Sequence, residues 1–376
     1  MQRAPVSEAS VYIHVPFCTV LCPFCDFYKR SFDTGAEAAF VNALCQEIDC
    51  YKQERPIKVP TLFFGGGTPS VLSAQSFSRI LNALSTTFDL SGLQEFSIEA
   101  NPEDINKEFC DCLTELGLTR LSLGVQSFSD HQCRFLGRGH SGADSHRALE
   151  LLSNYDFVVS LDLMFAMPEL SMLTLQHSLE AGFSYPIHHL STYCLTIEPH
   201  TVFYKKGVQT VGSDKEREQY QFIREFSKQR GFEQYEVSNF AKPGFHCLHN
   251  KRYWQYENYI GLGPSAHSLL YPYRFHNTAT FKGYVTEPRP AYFDTNLKPQ
   301  SFDTLLEEHV LAAFRLREGL TAKRFKDRHG VDIFKQFESA IHSAKTKGLL
   351  IQSESAIRST DEGLMLLDEL VMEFMS

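Results

Sequence analysis

Six short apolar runs punctuate the first two-thirds of the chain, and segments of helical period fill the intervals between them. The runs fall at 10–16, 61–66, 95–100, 120–126, 158–166 and 188–196, each bounded by turn-forming or polar residues, as expected for strands of a sheet covered on both faces. The stretches 36–53, 73–88, 104–117, 145–155, 173–184 and 214–230 repeat apolar residues every third or fourth position. Ile105, Phe109, Cys112, Leu113 and Leu116 carry that period most clearly. This alternation predicts an α/β protein with a parallel sheet and crossover helices, either a barrel or an open doubly wound sheet. In both, ligand sites gather at the C-terminal ends of the strands.

Polar residues interrupt the pattern at those ends. Glu99 closes FSIEANPE, Gln126 closes LSLGVQSF and Asp162 sits inside VVSLDLMFAMP, each costly in a doubly covered strand unless it meets a partner. Three such residues on successive strands point to a shared ligand carrying an amine, hydroxyls and a heterocycle. Gly65, Gly66, Gly67, Thr68 and Pro69 form a turn that lets backbone N–H groups approach a carboxylate. The turn lacks the lysine and spacing of a P-loop, so phosphate binding of that type is excluded. Arg138, in FLGRGH, would suit the ligand's carboxylate.

Cys18, Cys22 and Cys25 follow C-x3-C-x2-C, with no fourth cysteine in that loop. Three thiolates on a cubane cluster leave one iron open to a small molecule. A structural zinc site would need a second pair of ligands further on, which does not follow. Pro16, Phe17, Pro23, Phe24 and Phe27 surround the thiols with apolar groups. The other Cys45, Cys50, Cys110, Cys112, Cys133 and Cys194 read as packing residues. Ten cysteines in 376 residues are too sparse for a disulfide scaffold and suit a reducing compartment. A net charge of −9 without a basic run gives nucleic acid no electrostatic footing. The opening MQRAPVSEAS has no apolar leader, and no apolar stretch is long enough to span a membrane, so a cytoplasmic protein is expected.

The cysteine loop, the GGGTP turn, the glutamate of EANPE and the GVQSF strand together resemble the radical S-adenosylmethionine (SAM) family of the oxygen-independent coproporphyrinogen III dehydrogenase type. The resemblance spans most of the chain and implies a partial (β/α)6 barrel with a small, mostly helical C-terminal domain. It implies a 4Fe-4S cluster on Cys18, Cys22 and Cys25, with the SAM amino and carboxylate groups on the open iron. Tyr12 and Phe24 would flank SAM, Gly66, Gly67 and Thr68 would meet its methionine end, and Glu99, Gln126, Arg138 and Asp162 would complete the pocket; Thr196 is a weaker match. The chemistry implied is reductive cleavage of SAM to a 5'-deoxyadenosyl radical, with a flavodoxin-type electron donor. No catalytic side chain is assigned. Family members can form homodimers, which is the oligomer to expect.

Two departures bear on function. The dehydrogenases resemble one another in a further cysteine two positions after the third, where this chain has Phe27, and in a longer N-terminal segment. The motif H-N-x2-Y-W at His249, Asn250, Tyr253 and Trp254 resembles that of the heme-chaperone branch, and it implies a heme-binding segment in which imidazole and flat aromatics meet a porphyrin. His246, Cys247, His267 and His276 are neighbouring candidates for the iron. The expected division is a barrel at 1–230, the heme-binding segment at 231–295 and a winged-helix-like domain at 296–376. In the last of these Leu364, Leu367, Leu370, Val371 and Phe374 share one face of a final helix, leaving Asp368, Glu369 and Glu373 to solvent. The resulting expectation is a heme-trafficking protein; the alternative is oxidative decarboxylation of coproporphyrinogen III.

Overall fold

The computed structural model describes residues 5–375, so the first four residues of the opening segment lie outside the described residues. Six parallel strands run in sequence order: β1 (Ser10–Val15), β2 (Thr61–Gly66), β3 (Glu95–Ala100), β4 (Arg120–Gln126), β5 (Val158–Phe165) and β6 (His189–Cys194). They coincide with the six apolar runs. Crossover helices α1 (Thr34–Asp49), α2 (Ala74–Thr87), α3 (Lys107–Glu115), α4 (Gly142–Leu152), α5 (Met172–Phe183) and α6 (Ser213–Lys228) cover the outer face. Polar caps start five of them: Asp33, Ser73, Asn106 and Ser171 each accept backbone N–H bonds, and Ser141 with Asp144 forms a capping box. Helix α4 therefore begins three residues before the periodicity suggests.

The sheet curls without closing, since β1 and β6 are not paired. Beyond β1 it continues with Tyr259–Leu262, parallel to β1, and an antiparallel hairpin of His267–Leu270 and Tyr273–His276. Beyond β6 it continues with Asn239–Ala241 and Glu233–Gln234. Residues 231–295 are thus extensions of the barrel sheet at both edges, and Phe240, Ile260, Leu262, Leu270, Phe275 and Tyr284 join its main core. The expected separate segment does not form a unit of its own, because its strands find their hydrogen-bond partners on β1 and β6.

The C-terminal region has its own core, built around Leu306, Val310, Phe314, Phe325, Ile341 and Ile357. Its three short antiparallel strands, Leu320–Thr321, Ala356–Ser359 and Leu350–Gln352, make a wing beside the helices. The final helix is two pieces, Asp361–Met365 and Leu367–Met372, broken at Leu366. Leu364, Leu370, Val371 and Phe374 are nevertheless buried, with Asp368 and Glu369 exposed. Among the described residues no helix is long and apolar enough to cross a membrane. All ten cysteines are unpaired, and Cys50 is exposed, against its reading as a packing residue.

One buried carboxyl ties the hairpin side to the helices. Glu47 on α1 is 0% exposed and accepts bonds from Gly263 N (2.9 Å), Asn277 Nδ2 (2.6 Å) and Tyr284 OH (2.6 Å). Burial outweighs these bonds and pushes its pKa up to about 7 from 4.5. The fold thus favours the protonated acid: the contribution is fully present below pH 4.5 and is lost as pH rises through about 7. Glu47→Gln should therefore lose less stability than the parent between pH 5 and pH 8, by on the order of 3 kcal/mol in urea titrations. Parallel pH profiles for the two proteins would refute the assignment.

Candidate cluster and cofactor site

The cysteine loop follows β1 and lies across the upper rim of the barrel. Two parallel bonds anchor it to the glycine turn after β2, from Gly67 N to Val15 O and from Thr68 N to Phe17 O, both 2.7 Å. Gly67 leaves no room for a side chain: a Cβ there would stand 2.6 Å from Phe17 O and 3.0 Å from Cys18 Sγ. Gly66 takes φ +110° beneath the His14 ring. His14 Nε2 donates to Tyr28 O (2.7 Å), so its Nδ1 accepts the Tyr12 hydroxyl (3.1 Å). On the far side of the loop, Phe203 N donates to Pro23 O (3.0 Å), and the Phe24 and Phe203 rings pack at 6.3 Å.

A chain of hydrogen bonds crosses the floor beneath the thiols. Thr68 bonds the Cys18 sulfur, Asn101 Nδ2 donates to Thr68 Oγ1 (3.3 Å), and Arg138 Nη2 donates to Asn101 Oδ1 (2.5 Å) and Gly124 O (2.8 Å). The same guanidinium reaches Cys22 Sγ through Nη1 at 3.6 Å. Four separate motifs are thereby tied into one frame around Cys18, Cys22 and Cys25. Burial raises the Cys18 pKa, the Thr68 bond and Lys29 oppose that, and the two sister thiols add to it.

The lumen below is polar because alternation along the strands points one residue in two inward. Tyr12, Glu99, Ser122, Gln126 and Asp162 are partly exposed to it while their neighbours pack outward, and Tyr193 on β6 is 44% exposed. Glu99 accepts Gly66 N (3.1 Å), and burial together with the Asp162 charge pushes its pKa up to about 8. Asp162 is raised to about 6 by burial, although Ser122 holds both its oxygens at 2.9 Å and Ser160 and Ser191 add further bonds. A register shift after Leu123 and φ 64° at Gln126 re-aim that side chain towards Gly124 and Arg138. Thr196 lies past the strand end and is exposed.

The donor set fits a cluster and a zwitterionic ligand. Among the described residues no three His, Cys, Asp or Glu side chains could hold a single metal ion; a cubane needs thiolates spread one to each iron. Arg138 Nε is buried without a partner, and Glu99 has one hydrogen bond for a desolvated carboxyl, so an anion and a cation both have complements here. Asn101, His14 and Tyr193 belong to this site and were not anticipated. Asn101 sits just past the end of β3, two residues beyond Glu99.

The H-N-x2-Y-W helix, α7 (Leu248–Trp254), lies at the opposite end of the barrel. Glu95 at the foot of β3 accepts Leu248 N and His249 N (3.0 Å each) and Arg120 Nε (3.0 Å), while Arg120 Nη2 holds Phe245 O (2.6 Å) and His246 O (3.1 Å). His249 is 1% exposed with both nitrogens engaged, Nδ1 with Thr61 Oγ1 and Nε2 with Tyr253 OH, each 2.8 Å. Burial lowers its pKa to about 3. Trp254 lies under the Arg315 guanidinium at 4.4 Å, and Asn250 is partly buried beside them. In this arrangement the expected iron ligand presents no free nitrogen, so the motif closes the barrel floor and does not bring its residues to the cluster. Phe27, by contrast, stands 70% exposed two residues past Cys25.

These features define a radical SAM protein: a family profile described as the radical SAM superfamily matches residues 12–181, and one described as the HemN C-terminal domain matches 301–366. The solved structure of coproporphyrinogen III oxidase (HemN) from Escherichia coli superposes with a TM-score of 0.83 at 22% identity, covering 99% of this chain and 91% of that one, a likeness of fold. Among curated relatives, the protein named heme chaperone HemW of Bacillus subtilis is 35% identical, covering 97% of this chain and 99% of that protein. The Escherichia coli protein of that name is 30% identical, covering 98% of each, and the mitochondrial radical S-adenosyl methionine domain-containing protein 1 of Danio rerio is 30% identical over 97% and 86%. The chain belongs to the HemW family.

Asn101→Leu would cut the link between Thr68 and Arg138. After anaerobic reconstitution, iron and acid-labile sulfide should be lost about tenfold faster than from the parent, by analogy with other outer-sphere ligand partners. Cys22→Ala should abolish a stable 4Fe-4S absorbance, and an unchanged spectrum would remove Cys22 from the ligand set.

Proposed function

We propose that this chain binds heme and passes it to an acceptor protein, carrying a 4Fe-4S cluster on Cys18, Cys22 and Cys25 and SAM in the pocket of Tyr12, Phe24, Gly66, Gly67, Thr68, Glu99, Gln126, Arg138 and Asp162. The observation that carries this reading is the end-to-end match to relatives named as heme chaperones. When bound, cluster and SAM supply one-electron chemistry. The chain's own part is to hold sulfur with Arg138 and Thr68 and to offer Glu99 to an amine. A one-electron donor of the flavodoxin type would serve the cluster. Ten unpaired cysteines suit a reducing, cytoplasmic setting.

Decarboxylation of coproporphyrinogen III is the alternative, and Phe27 argues against it, standing where the decarboxylating enzymes resemble one another in having cysteine.

Anaerobically reconstituted protein titrated with hemin should give a saturable Soret shift at one heme per chain. The same preparation supplied with SAM, reductant and coproporphyrinogen III should form no protoporphyrinogen IX. Porphyrinogen turnover would overturn the chaperone reading, and so would the absence of a stoichiometric hemin complex.

A further inference from the structure

If the chain carries heme, the iron needs a ligand that His249 does not offer. Nearby alternatives are equally closed. The Cys247 thiol donates to Glu95 Oε1 at 3.5 Å and is pushed far up by burial, so it is not a thiolate. His246 Nε2 is unpartnered but buried within the protein beside the Tyr235 ring, where a porphyrin has no access. His309 and His329 bond each other inside the C-terminal interface at 2.9 Å.

The edge hairpin is different. His267 and His276 are a directly opposed cross-strand pair on its two strands, both exposed, with ring centroids 5.2 Å apart. Ser268, Leu270 and Phe275 point to the opposite face; the histidines share the face of Tyr259, Leu269 and Arg274, which the C-terminal helix covers at Leu269 and Arg274 and leaves open at His267 and His276. His276 Nδ1 lies 2.9 Å from Asn277 O. A carbonyl can only accept, so Nδ1 carries the proton and the lone pair stands on Nε2, for which the structure gives no protein partner. A ring nitrogen fixed in this way by a backbone carbonyl is the usual support of a metal-bound imidazole.

The geometry points to His276 as the iron ligand of a porphyrin seated on this edge hairpin, with His267 beside it and Arg274 facing a propionate. This rests on the heme reading above. Both imidazoles lie on one sheet face at a spacing too short to sandwich a porphyrin, so one of them ligates. Arg274 uses Nε on Glu308 (3.0 Å) and Nη1 on Tyr259 OH (3.2 Å), which leaves Nη2 for an anion.

The test compares full-length, cluster-reconstituted parent, His276→Ala, His267→Ala and His249→Gln in hemin titrations, with the ferric heme read by absorbance and electron paramagnetic resonance. The parent and His267→Ala should show a nitrogen-ligated heme. His276→Ala should lose that signature and weaken hemin binding about tenfold or more, and added imidazole should restore the spectrum. His249→Gln should keep the signature at a lowered melting temperature. Unchanged spectrum and affinity in His276→Ala would overturn the assignment, as would loss of the signature in His249→Gln at an unchanged melting temperature. A parent that forms no saturable hemin complex would overturn the chaperone reading itself and the ligand with it.

Discussion

A parallel sheet that curls without closing exposes polar backbone at its foot, and the Glu95 carboxylate is what seals it. It sits beside Arg120, both nearly inaccessible to water, and receives two backbone N–H groups at the start of α7. Acidic charge at a helix N-terminus is favoured by the helix dipole as well as by the unpaired donors there. Such a pair adds little net stability over an apolar core, but breaking it costs about 3–5 kcal/mol because one charge is left buried. Glu95 and Arg120 therefore fix where α7 enters, and α7 fixes what lies on it. Tyr256, two residues past its end, stacks on His309 at 5.0 Å and donates to Glu308, which brings the C-terminal core to the barrel.

The upper rim follows a different logic. There the polar groups are left partly open, which suits the completion by a ligand proposed above. Arg138 has one buried nitrogen without a partner, and Glu99 and Asp162 are acids whose pKa values burial has driven towards neutrality. Groups in that condition destabilise an empty site and favour an occupied one. Foot and rim thus differ in what their acids meet: Glu95 at the foot is paired with Arg120 and two backbone N–H groups, whereas Glu99 at the rim has one hydrogen bond.

That difference explains how much could be read from the residues in order. Strands were legible from the apolar residues that each packs outward, and Glu99 and Asp162 stood out as carboxyls among them. Asn101 did not, since an asparagine before proline also reads as an ordinary turn residue. His14 gave no signal of its own: its role comes from Tyr28 O, fourteen residues on. The edge position of 239–241 and 259–276 was hidden because pairing partners far apart in sequence leave no local trace. Leu366 breaks the last helix without a glycine or proline to announce it.

The H-N-x2-Y-W helix is where a motif and a geometry part company. A histidine four residues before a tyrosine places both on one helix face, and the same spacing serves either a metal or a closed hydrogen bond. Here Thr61 donates its hydroxyl to Ser10 at 2.7 Å, which leaves it to accept from His249 Nδ1 and directs the Tyr253 hydroxyl to Nε2. Each donor is matched by one acceptor, and the ring is locked between β2 and its own helix. Loss of His249 would then unseat α7 from Glu95 and loosen the contact of Trp254 with Arg315. A defect in heme handling from that change would report a disturbed scaffold, which is why the ligand has to be sought by the spectrum of the iron and not by activity alone.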